Sequence, residues 1–283
     1  MDLNADLGEL TEAAGQVGAS LAGVRRLGVA FSGGVDSAVL LALAARTLGV
    51  DRVLAVLGVS ASLAAAERTG AHQVAAFIGV PVVEVHTREA DRPAYVANGP
   101  DRCYHCKDEL FTRIDADLAE RHGLDAVAYG ENADDARRPD RPGSQAAAEH
   151  GVRRPLAEAG LGKADVRRLA RAMRLPCADK PAAPCLASRI PHSITVDPGK
   201  LRQIEDAEAA LRGLGFTDSR VRHHGDVARV ELLPADLPRA VSDPLRELIL
   251  AGVREAGFRF VAIDLAGIQS GAFTLPLLAT RHG

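Results

Sequence analysis

The sequence is short of several residue types that often mark particular classes of protein. Its 283 residues include no tryptophan, two methionines and only 4% aromatic residues. Lysine is also rare: four lysines stand among 34 basic residues, and arginine carries the rest of the positive charge. Arginine grips phosphate and carboxylate groups with paired hydrogen bonds, although an arginine excess can also follow from genome composition. The formal net charge of −3 gives no basic signature, so we expect no nucleic-acid partner.

Long hydrophobic runs are missing as well. No apolar stretch approaches the roughly 20 residues that a membrane-spanning helix needs, so we expect no membrane partner. Residues 1–12 are acidic and lack the basic segment and apolar core of a signal peptide, which makes a cytoplasmic location the expectation. With 47% hydrophobic and 25% charged residues, the composition is typical of a globular protein with one large domain or two smaller ones.

Cysteine occurs four times, which is too few for a disulfide scaffold in a chain of this length. In a reducing compartment such residues serve as thiols, metal ligands or nucleophiles. Cys103 and Cys106 form a Cys-x-x-Cys pair, whose thiolates can share a metal, a cluster or a disulfide. Cys106 would lie just before a predicted helix over 108–122. Two unrelated thiols are the plain alternative, which we consider weaker than shared ligation.

A third candidate thiol, Cys185, follows in a proline-flanked loop. Two paired thiolates and one distant thiolate form the ligand set of a [4Fe–4S] cluster with one iron left open. Zinc would require a fourth ligand, for which Cys177 or His105 is available. Because Cys177 and Cys185 do not have the spacing of a paired motif, the favoured interpretation of Cys177 is a small buried side chain.

The most informative segment is Ser32–Ser37, which reads Ser-Gly-Gly-Val-Asp-Ser between an apolar run and an alanine- and leucine-rich stretch. This pattern predicts a strand, a tight turn and the start of a helix. Gly33 and Gly34 would let a ligand approach the main chain, and the two serine hydroxyls would join the N–H groups of the helix in binding phosphate. Asp36 makes sense there if it holds a magnesium ion that bridges the phosphates.

The segment is not a Walker-type loop, because no lysine stands near Gly34. It resembles the pyrophosphate loop (PP-loop) of the adenine nucleotide alpha hydrolase-like ATPases. Those enzymes cleave ATP between the α and β phosphates and attach AMP to a substrate. A glycine-rich turn without a ligand is the plain alternative, and the six-residue match disfavours it.

Apolar strands alternate with helical stretches through the first part of the chain. The predicted strands cover residues 27–31, 52–57, 81–86 and 125–130. Near-continuous apolar strands predict an α/β fold, a parallel sheet with helices on both faces and ligands at the carboxyl ends of its strands. From residue 195 the order changes to helix, two strands, helix and strand, which predicts a smaller α+β domain. We therefore expect a PP-loop domain over 1–190 and a substrate-binding or oligomerisation domain over 191–283.

Polar side chains follow the fourth predicted strand of the parallel sheet. Asn132, Asp134 and Asp135 would bind magnesium or orient the nucleotide, since carboxylate oxygens suit magnesium. A polar turn that closes on its own backbone is the plain alternative, and the neighbouring phosphate loop favours the functional interpretation. Lys163 could reach a phosphate as a mobile point charge, and a solvated position in the first turn of a helix is nearly as good an interpretation.

Arginines near the end of the chain are candidates for binding an anionic substrate. Arg220 and Arg222 alternate along a predicted strand, so they share a face, and Arg189 is a third candidate. Glu208 and Glu231 could add carboxylates on the same side. A solvated, salt-bridged surface explains any one of these residues about equally well.

Several motifs together resemble those of the LarE sulfur transferases, over nearly the whole chain. The matching stretches are residues 32–37, 130–135, 141–143, 151–156, 180–191 and 264–267. Pro-Cys-Leu-Ala-Ser-Arg, at residues 184–189, is the most specific of them. Residues 267–271 match the family pattern less closely.

This resemblance implies a role in building the nickel-pincer nucleotide cofactor of lactate racemase-type enzymes. ATP and Mg²⁺ would serve to adenylate a carboxylate of pyridinium-3,5-biscarboxylic acid mononucleotide, and a sulfur nucleophile would displace AMP to leave a thiocarboxylate. Cys185 matches the sulfur-bearing cysteine, which some members sacrifice and convert to dehydroalanine. Cys103 and Cys106 match the subgroup in which three cysteines hold a [4Fe–4S] cluster, with the transferred sulfide on its fourth iron. We expect this second, catalytic route.

The resemblance also assigns residues to the substrate. Ser188 and Arg189 match residues near the substrate phosphate, and the match extends to the arginines and glutamates named above, Arg220, Arg222, Glu208 and Glu231. A homo-oligomer and transient contacts with other proteins of nickel-pincer biosynthesis complete these expectations.

Three other functions remain open from the sequence. An amidotransferase such as an NAD or GMP synthetase would need an ammonia source and gives no reason for three cysteines. A transfer RNA thiolase can use three cysteines on a cluster, but it would normally show a basic surface or an added RNA-binding domain. A nucleotide sensor without catalysis would bind ATP and release no pyrophosphate.

Overall fold

Two separate sheets form the framework of the described chain, which is residues 6–138, 141–269 and 273 of this computed structural model. The strands are β1 (Leu27–Ala30), β2 (Val53–Val59), β3 (Val82–His86), β4 (Ala126–Tyr129), β5 (Ser219–His224), β6 (Val227–Leu232) and β7 (Phe260–Ile263). The helices are α1 (Thr11–Ser20), α2 (Val35–Leu48), α3 (Ala65–Ile78), α4 (Pro93–Val96), α5 (Arg102–Arg113), α6 (Ala119–His122), α7 (Ala133–Ala136), α8 (Pro142–Glu149), α9 (Pro155–Glu158), α10 (Lys163–Ala172), α11 (Pro198–Gly213), α12 (Leu237–Ala240) and α13 (Leu245–Glu255).

The chain forms two compact units. The first falls within residues 1–89 and 103–183, and the second within residues 90–102 and 184–283. The first unit holds the four-stranded sheet, in the order β3-β2-β1-β4 with every pair parallel. This arrangement confirms the predicted α/β fold, because apolar residues on consecutive positions of a strand need cover on both faces.

Each face of this sheet has its own apolar core. On one face, Val29 and Ala55 pack with buried residues of α1, α2, α3 and α10. On the other face, Leu54 and Val56 pack with Phe111 of α5 and with the residues that follow it. Neighbouring strand residues thus point to opposite cores, as the two-residue period of a strand requires.

The second unit holds the three-stranded sheet, in the order β5-β6-β7. β5 and β6 are antiparallel and joined at Gly225, which has a φ of +66°, whereas β6 and β7 are parallel. α11 presents Leu201, Ile204 and Leu211 on its buried face. The helix, strand, strand, helix and strand order matches the predicted second fold.

Two helices differ from the sequence-based boundaries. The helix predicted over 108–122 begins at Arg102 and passes through a π-helical turn, Ile114–Leu118, before α6. The second helix of the order predicted after residue 195 is split into α12 and α13. Pro244 explains the split, because a proline disfavours helical geometry at the residue before it.

Candidate active site

The segment Ser32–Ser37 closes on itself at the carboxyl end of β1. The N–H of Phe31 still pairs with β2, and α2 begins within the turn. The Ser37 hydroxyl donates to the Gly34 carbonyl at 3.0 Å. The backbone nitrogen and the hydroxyl oxygen of Ser32 each lie 3.3 Å from the Ser37 hydroxyl oxygen. Gly34 caps α2 without a side chain. No capping side chain there competes with an anion for the N–H groups of the first turn.

Two glycines allow the close packing around this turn. Gly33 has a φ of +71°, and a Cβ atom placed on it would lie 2.7 Å from the Cα atom of Ala71 in α3. Gly130 follows β4, and a Cβ atom there would lie 2.6 Å from the backbone nitrogen of Ser37. The end of β4 therefore packs directly on the first turn of α2, and a larger residue at Gly130 would displace one or the other.

Asp36, in the first turn of α2, joins the polar groups around the loop. Its Oδ2 atom lies 2.5 Å from the Nζ atom of Lys163, at the start of α10. Its Oδ1 atom accepts a hydrogen bond from the Asn132 amide at 3.1 Å, and the same amide donates to Asp135 at 3.0 Å. Asn132 is buried and also accepts from the Asp135 N–H. The structure thus brings together four of the side chains that the sequence assigns to nucleotide and magnesium.

Asp134 lies in the same cluster with a different set of contacts. Its Oδ2 atom accepts from the backbone N–H of Lys163 at 2.8 Å, and its Oδ1 atom lies 3.4 Å from Arg137. Asp134 therefore helps to hold the start of α10, from which Lys163 reaches Asp36. Arg141 pairs with Asp135, whose carboxylate is thus held from two sides.

Cys103 and Cys106 lie in the first turns of α5. The prediction that Cys106 precedes the helix is wrong. The helix begins directly after Gly-Pro-Asp at residues 99–101, a sequence that ends the preceding element and favours the start of a new helix. Neither thiol forms a disulfide; Cys103 is exposed and Cys106 is half-buried. Residues three apart on a helix share a face, so both thiols lie on the same side of α5.

The other two cysteines lie in contrasting surroundings. Cys185, in the second unit, is exposed, forms no disulfide and precedes the 3-10 turn Leu186–Arg189. Cys177, in the first unit, is 2% exposed and belongs to the apolar core, and this burial raises the pKa of its thiol. The surroundings of Cys177 fit the interpretation of a small buried side chain.

Two charged residues of this region are absent from the sequence-based set of candidates. Lys107 directly follows the Cys-x-x-Cys, and its Nζ atom lies 4.1 Å from the centre of the Tyr129 ring at the end of β4. Burial lowers the pKa of Lys107, while the nearby charges of Glu131 and the two thiols oppose that shift. A Cβ atom on Gly143 would lie 2.9 Å from the Lys107 side chain, so glycine there leaves room for it. In the sequence, Lys107 directly follows the cysteine pair and Glu131 directly precedes Asn132. This adjacency was the signal that pointed to both residues.

Arg189 is buried in the second unit with both ends of its guanidinium occupied. Its Nε and Nη2 atoms lie 2.9 and 3.2 Å from the two carboxylate oxygens of Glu208, in α11. Its Nη1 atom donates to the Pro184 carbonyl at 2.6 Å and to the Ser188 hydroxyl at 3.0 Å. This arginine therefore fixes the turn that follows Cys185.

Arg222 and Glu231 form a second buried pair, across β5 and β6. The Nη2 atom of Arg222 lies 2.8 Å from Oε2 of Glu231, and its Nη1 atom donates to the Ser188 carbonyl at 3.0 Å. Burial, with the nearby charges of Arg189 and Arg222, lowers the pKa of Arg220. These residues are buried, so the alternative of a solvated, salt-bridged surface does not describe them.

Within residues 6–138, 141–269 and 273, no group of three or more His, Cys, Asp and Glu side chains is arranged to hold a metal ion. Over the same residues, no helix has the length and apolar character needed to cross a membrane. Ser270 and Gly271, where the resemblance is looser, lie outside the described residues.

Comparison with known proteins identifies relatives over most of the chain. The family model of asparagine synthase matches residues 12–150. A pyridinium-3,5-bisthiocarboxylic acid mononucleotide synthase of Lactiplantibacillus plantarum is 35% identical over 255 residues, 89% of this chain and 90% of the relative. An uncharacterized protein of Synechocystis is 41% identical over 243 residues, 86% of this chain and 90% of the relative. An uncharacterized protein of Methanocaldococcus jannaschii is 31% identical over 170 residues, 60% and 65% of the two chains.

Proposed function

Since the chain belongs to the LarE family of PP-loop, ATP-using enzymes, we propose that it is an ATP-dependent sulfur transferase. Its substrate would be pyridinium-3,5-biscarboxylic acid mononucleotide, whose carboxylates it converts to thiocarboxylates with release of AMP and pyrophosphate. The observation that carries the proposal is the cluster at the phosphate loop, where Asp36 meets both Lys163 and Asn132 at the start of α2.

This cluster supplies the groups that adenylation requires. The N–H groups at the start of α2 and the hydroxyls of Ser32 and Ser37 would bind the phosphates of ATP. Lys163, whose side chain is 40% exposed, would exchange Asp36 for a phosphate oxygen, since its ammonium is a mobile point charge. A carboxylate oxygen of the substrate then attacks the α-phosphorus, the bond to the bridging oxygen breaks, and pyrophosphate leaves.

Asp36 and Asp135 fit a magnesium ion. Magnesium in nucleotide sites generally takes one or two carboxylates and fills its other positions with phosphate oxygens and water. Both carboxylates accept from the amide of Asn132, which holds them on one side of the loop. When bound, the ion would neutralise charge on the phosphates.

The three thiols fit a [4Fe–4S] cluster by their chemistry. Cys103, Cys106 and Cys185 form no disulfide and none of them is fully buried, so each can ligate iron. Inside the second unit, Arg102 donates to the Ala187 carbonyl at 2.8 Å, which supports a short path between the chain before Cys103 and the turn after Cys185. When bound, such a cluster would supply the sulfur nucleophile.

The second half of the reaction replaces oxygen by sulfur. Sulfur attacks the acyl carbon of the adenylate, the bond from that carbon to the AMP oxygen breaks, and AMP leaves with the former carboxylate oxygen. Adenylation makes this possible at neutral pH because AMP is a far better leaving group than oxide. The substrate phosphate would be bound by Ser188, Arg189, Arg220 and Arg222. The arginines would be oriented by Glu208 and Glu231.

Product analysis tests this proposal. The protein is incubated with ATP, Mg²⁺ and the pyridinium biscarboxylate mononucleotide, and pyrophosphate, AMP and the product mass are followed. We expect pyrophosphate release and a product in which oxygen is replaced by sulfur. Cys185→Ala should still release pyrophosphate while forming no thiocarboxylate. The control variant Cys177→Ala should release pyrophosphate and form the thiocarboxylate.

The same measurement separates two of the other functions. An amide product would identify an amidotransferase, and ATP binding without pyrophosphate release would identify a nucleotide sensor. Either result would reject sulfur transfer as the activity of this chain.

A further inference from the structure

A short segment, residues 90–102, leaves the parallel sheet and belongs to the second unit. Asn98 lies near its end, is fully buried and has a φ of +56°, a left-handed conformation that asparagine tolerates better than most residues. Its side-chain nitrogen lies 2.8 Å from the Pro191 carbonyl, 2.9 Å from that of Ile194 and 3.3 Å from that of Ile190. One amide therefore gathers three carbonyl groups of the chain that follows Cys185.

Arg102 completes this set of contacts. Its Nη1 atom donates to the side-chain oxygen of Asn98 at 2.6 Å and to the Ala187 carbonyl at 2.8 Å. Arg102 is 7% exposed. Both partners of this contact are close in sequence to a candidate ligand, because Arg102 directly precedes Cys103 and Ala187 comes two residues after Cys185.

We propose that Asn98 and Arg102 are positioning residues for sulfur transfer: their buried hydrogen bonds hold the entry to the Cys103 helix against the turn that carries Cys185. The inference rests on the proposed function, since it assigns these residues to the thiol set of that reaction. It adds two residues that touch neither ATP nor the reacting atoms.

The chemistry of the contact favours positioning over simple packing. Burying a guanidinium costs free energy that an apolar side chain would not incur, so an apolar residue would make a plain structural contact more stable. Directed hydrogen bonds instead specify one arrangement of the groups that they join. A contact of this kind suits two cysteines that must reach the same cluster from separate parts of the sequence.

The matched variants change one side chain each. Arg102→Met keeps the length of the side chain and removes its charge and donors, whereas Arg102→Lys keeps the charge and one donor group. Arg113→Met, on the same helix, is the control, because its Nε atom pairs with Glu109 of that helix at 2.8 Å. All variants carry Cys177→Ala, which removes the core thiol from the readout.

The readout is thiol cross-linking in the iron-free, reduced full chain, with a bifunctional alkylating agent that joins only closely spaced thiols. Trypsin releases Cys103 and Cys106 on one peptide and Cys185 on another, so a bridge within the pair differs in mass from a bridge to Cys185. Fragmentation of the joined peptides then shows whether Cys103 or Cys106 is bridged to Cys185. In the parent protein we expect both the Cys103–Cys106 and the Cys103–Cys185 bridge.

Arg102→Met should lower the yield of the Cys103–Cys185 bridge about tenfold, since hydrogen bonds from a charged donor are being lost. The Cys103–Cys106 bridge should stay unchanged, Arg102→Lys should give an intermediate yield, and Arg113→Met should match the parent. Iron bound after reconstitution should fall in the same order. Thermal stabilisation by ATP reports whether each variant is folded.

Two other outcomes decide against the inference. If Arg102→Met and Arg102→Lys keep the parent yield of the Cys103–Cys185 bridge, these contacts do not position the thiols. If the parent protein forms only the Cys103–Cys106 bridge, the thiol set of the proposed function is wrong, and the positioning role fails with it. If Arg102→Met does not fold, the comparison of Arg102→Lys with Arg113→Met decides between a positioning role and none.

Discussion

The two polar centres of this protein are built in opposite ways. At the phosphate loop, the Asp36–Lys163 pair has side chains that are 21% and 40% exposed. In the second unit, the Arg222–Glu231 pair has side chains that are 3% and 0% exposed. Water screens the first pair, so its partners can exchange for a metal ion and a phosphate. The second pair is shielded from water, so Arg222 and Glu231 stay paired with each other.

This difference suits the two kinds of work that we propose for these centres. A centre that handles ATP must accept new charges and release them at each turnover, which requires ion pairs that are weak in water. A centre that orients one substrate gains from charges fixed before the substrate arrives. Stability should therefore depend strongly on the buried pair and activity on the exposed one.

The largest effect should come from breaking the buried pair. Glu231→Gln leaves the Arg222 charge without its carboxylate and should lower the free energy of unfolding by about 3–5 kcal/mol. Urea unfolding measures this change. The corresponding change at the exposed pair, Asp36→Asn, should alter unfolding by less than about 1 kcal/mol. Equal losses of stability at the two sites would remove the contrast.

The second prediction reverses the comparison by measuring activity. Asp36→Asn should lower the rate of pyrophosphate release about 100-fold. The variant loses the carboxylate that would hold Mg²⁺ beside the phosphates, so the ion no longer neutralises their negative charge together with Lys163. Steady-state pyrophosphate assays with saturating Mg²⁺ check it. A rate within a factor of two of the parent would show that Asp36 does not serve the nucleotide.

The third prediction tests the packing that supports the exposed centre. Gly130→Ala puts a Cβ atom against the backbone of α2 and should lower stability by about 1–3 kcal/mol and ATP affinity about tenfold. Gly213→Ala is the matched control, since a Cβ atom there meets nothing within 4 Å. Calorimetric titration with ATP compares the two. An unaffected affinity in Gly130→Ala would mean that the loop does not depend on β4.

The smallest effects should come from two histidines whose pKa values move in opposite directions. Burial alone would lower the pKa of His150, but hydrogen bonds with Asp108 and Asp115, both 2.9 Å away, raise it. Its contribution to stability is complete below its ordinary pKa of 6.5 and is lost as pH rises through the raised value.

His223, in the second unit, behaves in the opposite sense. Burial lowers its pKa, so its contribution is complete above 6.5 and is lost as pH falls through the lowered value. His150→Gln should flatten the alkaline side of the stability profile and His223→Gln the acid side, each by under about 1 kcal/mol. Unfolding across this pH range measures both, and a change on the same side for both would contradict the assignment.

Sequence patterns predict the placement of the first centre's residues better than that of the second's, for a physical reason. Each residue of the first centre follows a strand of the parallel sheet or begins a helix of the first unit, namely Asp36, Asn132, Asp135 and Lys163. The topology of a parallel sheet alone brings such positions to one edge. The burial of Arg189, Arg222 and their glutamates depends on how α11 covers β5, which a charged sequence does not reveal. The charge pattern suggested a surface as readily as a core.

The segment at residues 90–102 shows a further limit of prediction. No repeat or change in composition marks it, yet it belongs to the second unit and carries Asn98 and Arg102. Its contacts join positions about 90 residues apart in the sequence, and local patterns carry no information about such pairs. Only the fold shows that these residues lie against the turn after Cys185.

We propose that three thiols, two on α5 and one before a distant turn, carry a renewable sulfur. The most direct measurement is the iron and sulfide content of protein purified without oxygen, with the number of thiocarboxylates formed per chain. We predict about four iron atoms in the parent and in Cys177→Ala, little iron in Cys103→Ala, and more than one product per chain when sulfide is supplied. An iron-free protein that makes one thiocarboxylate and leaves dehydroalanine at Cys185 would contradict this account.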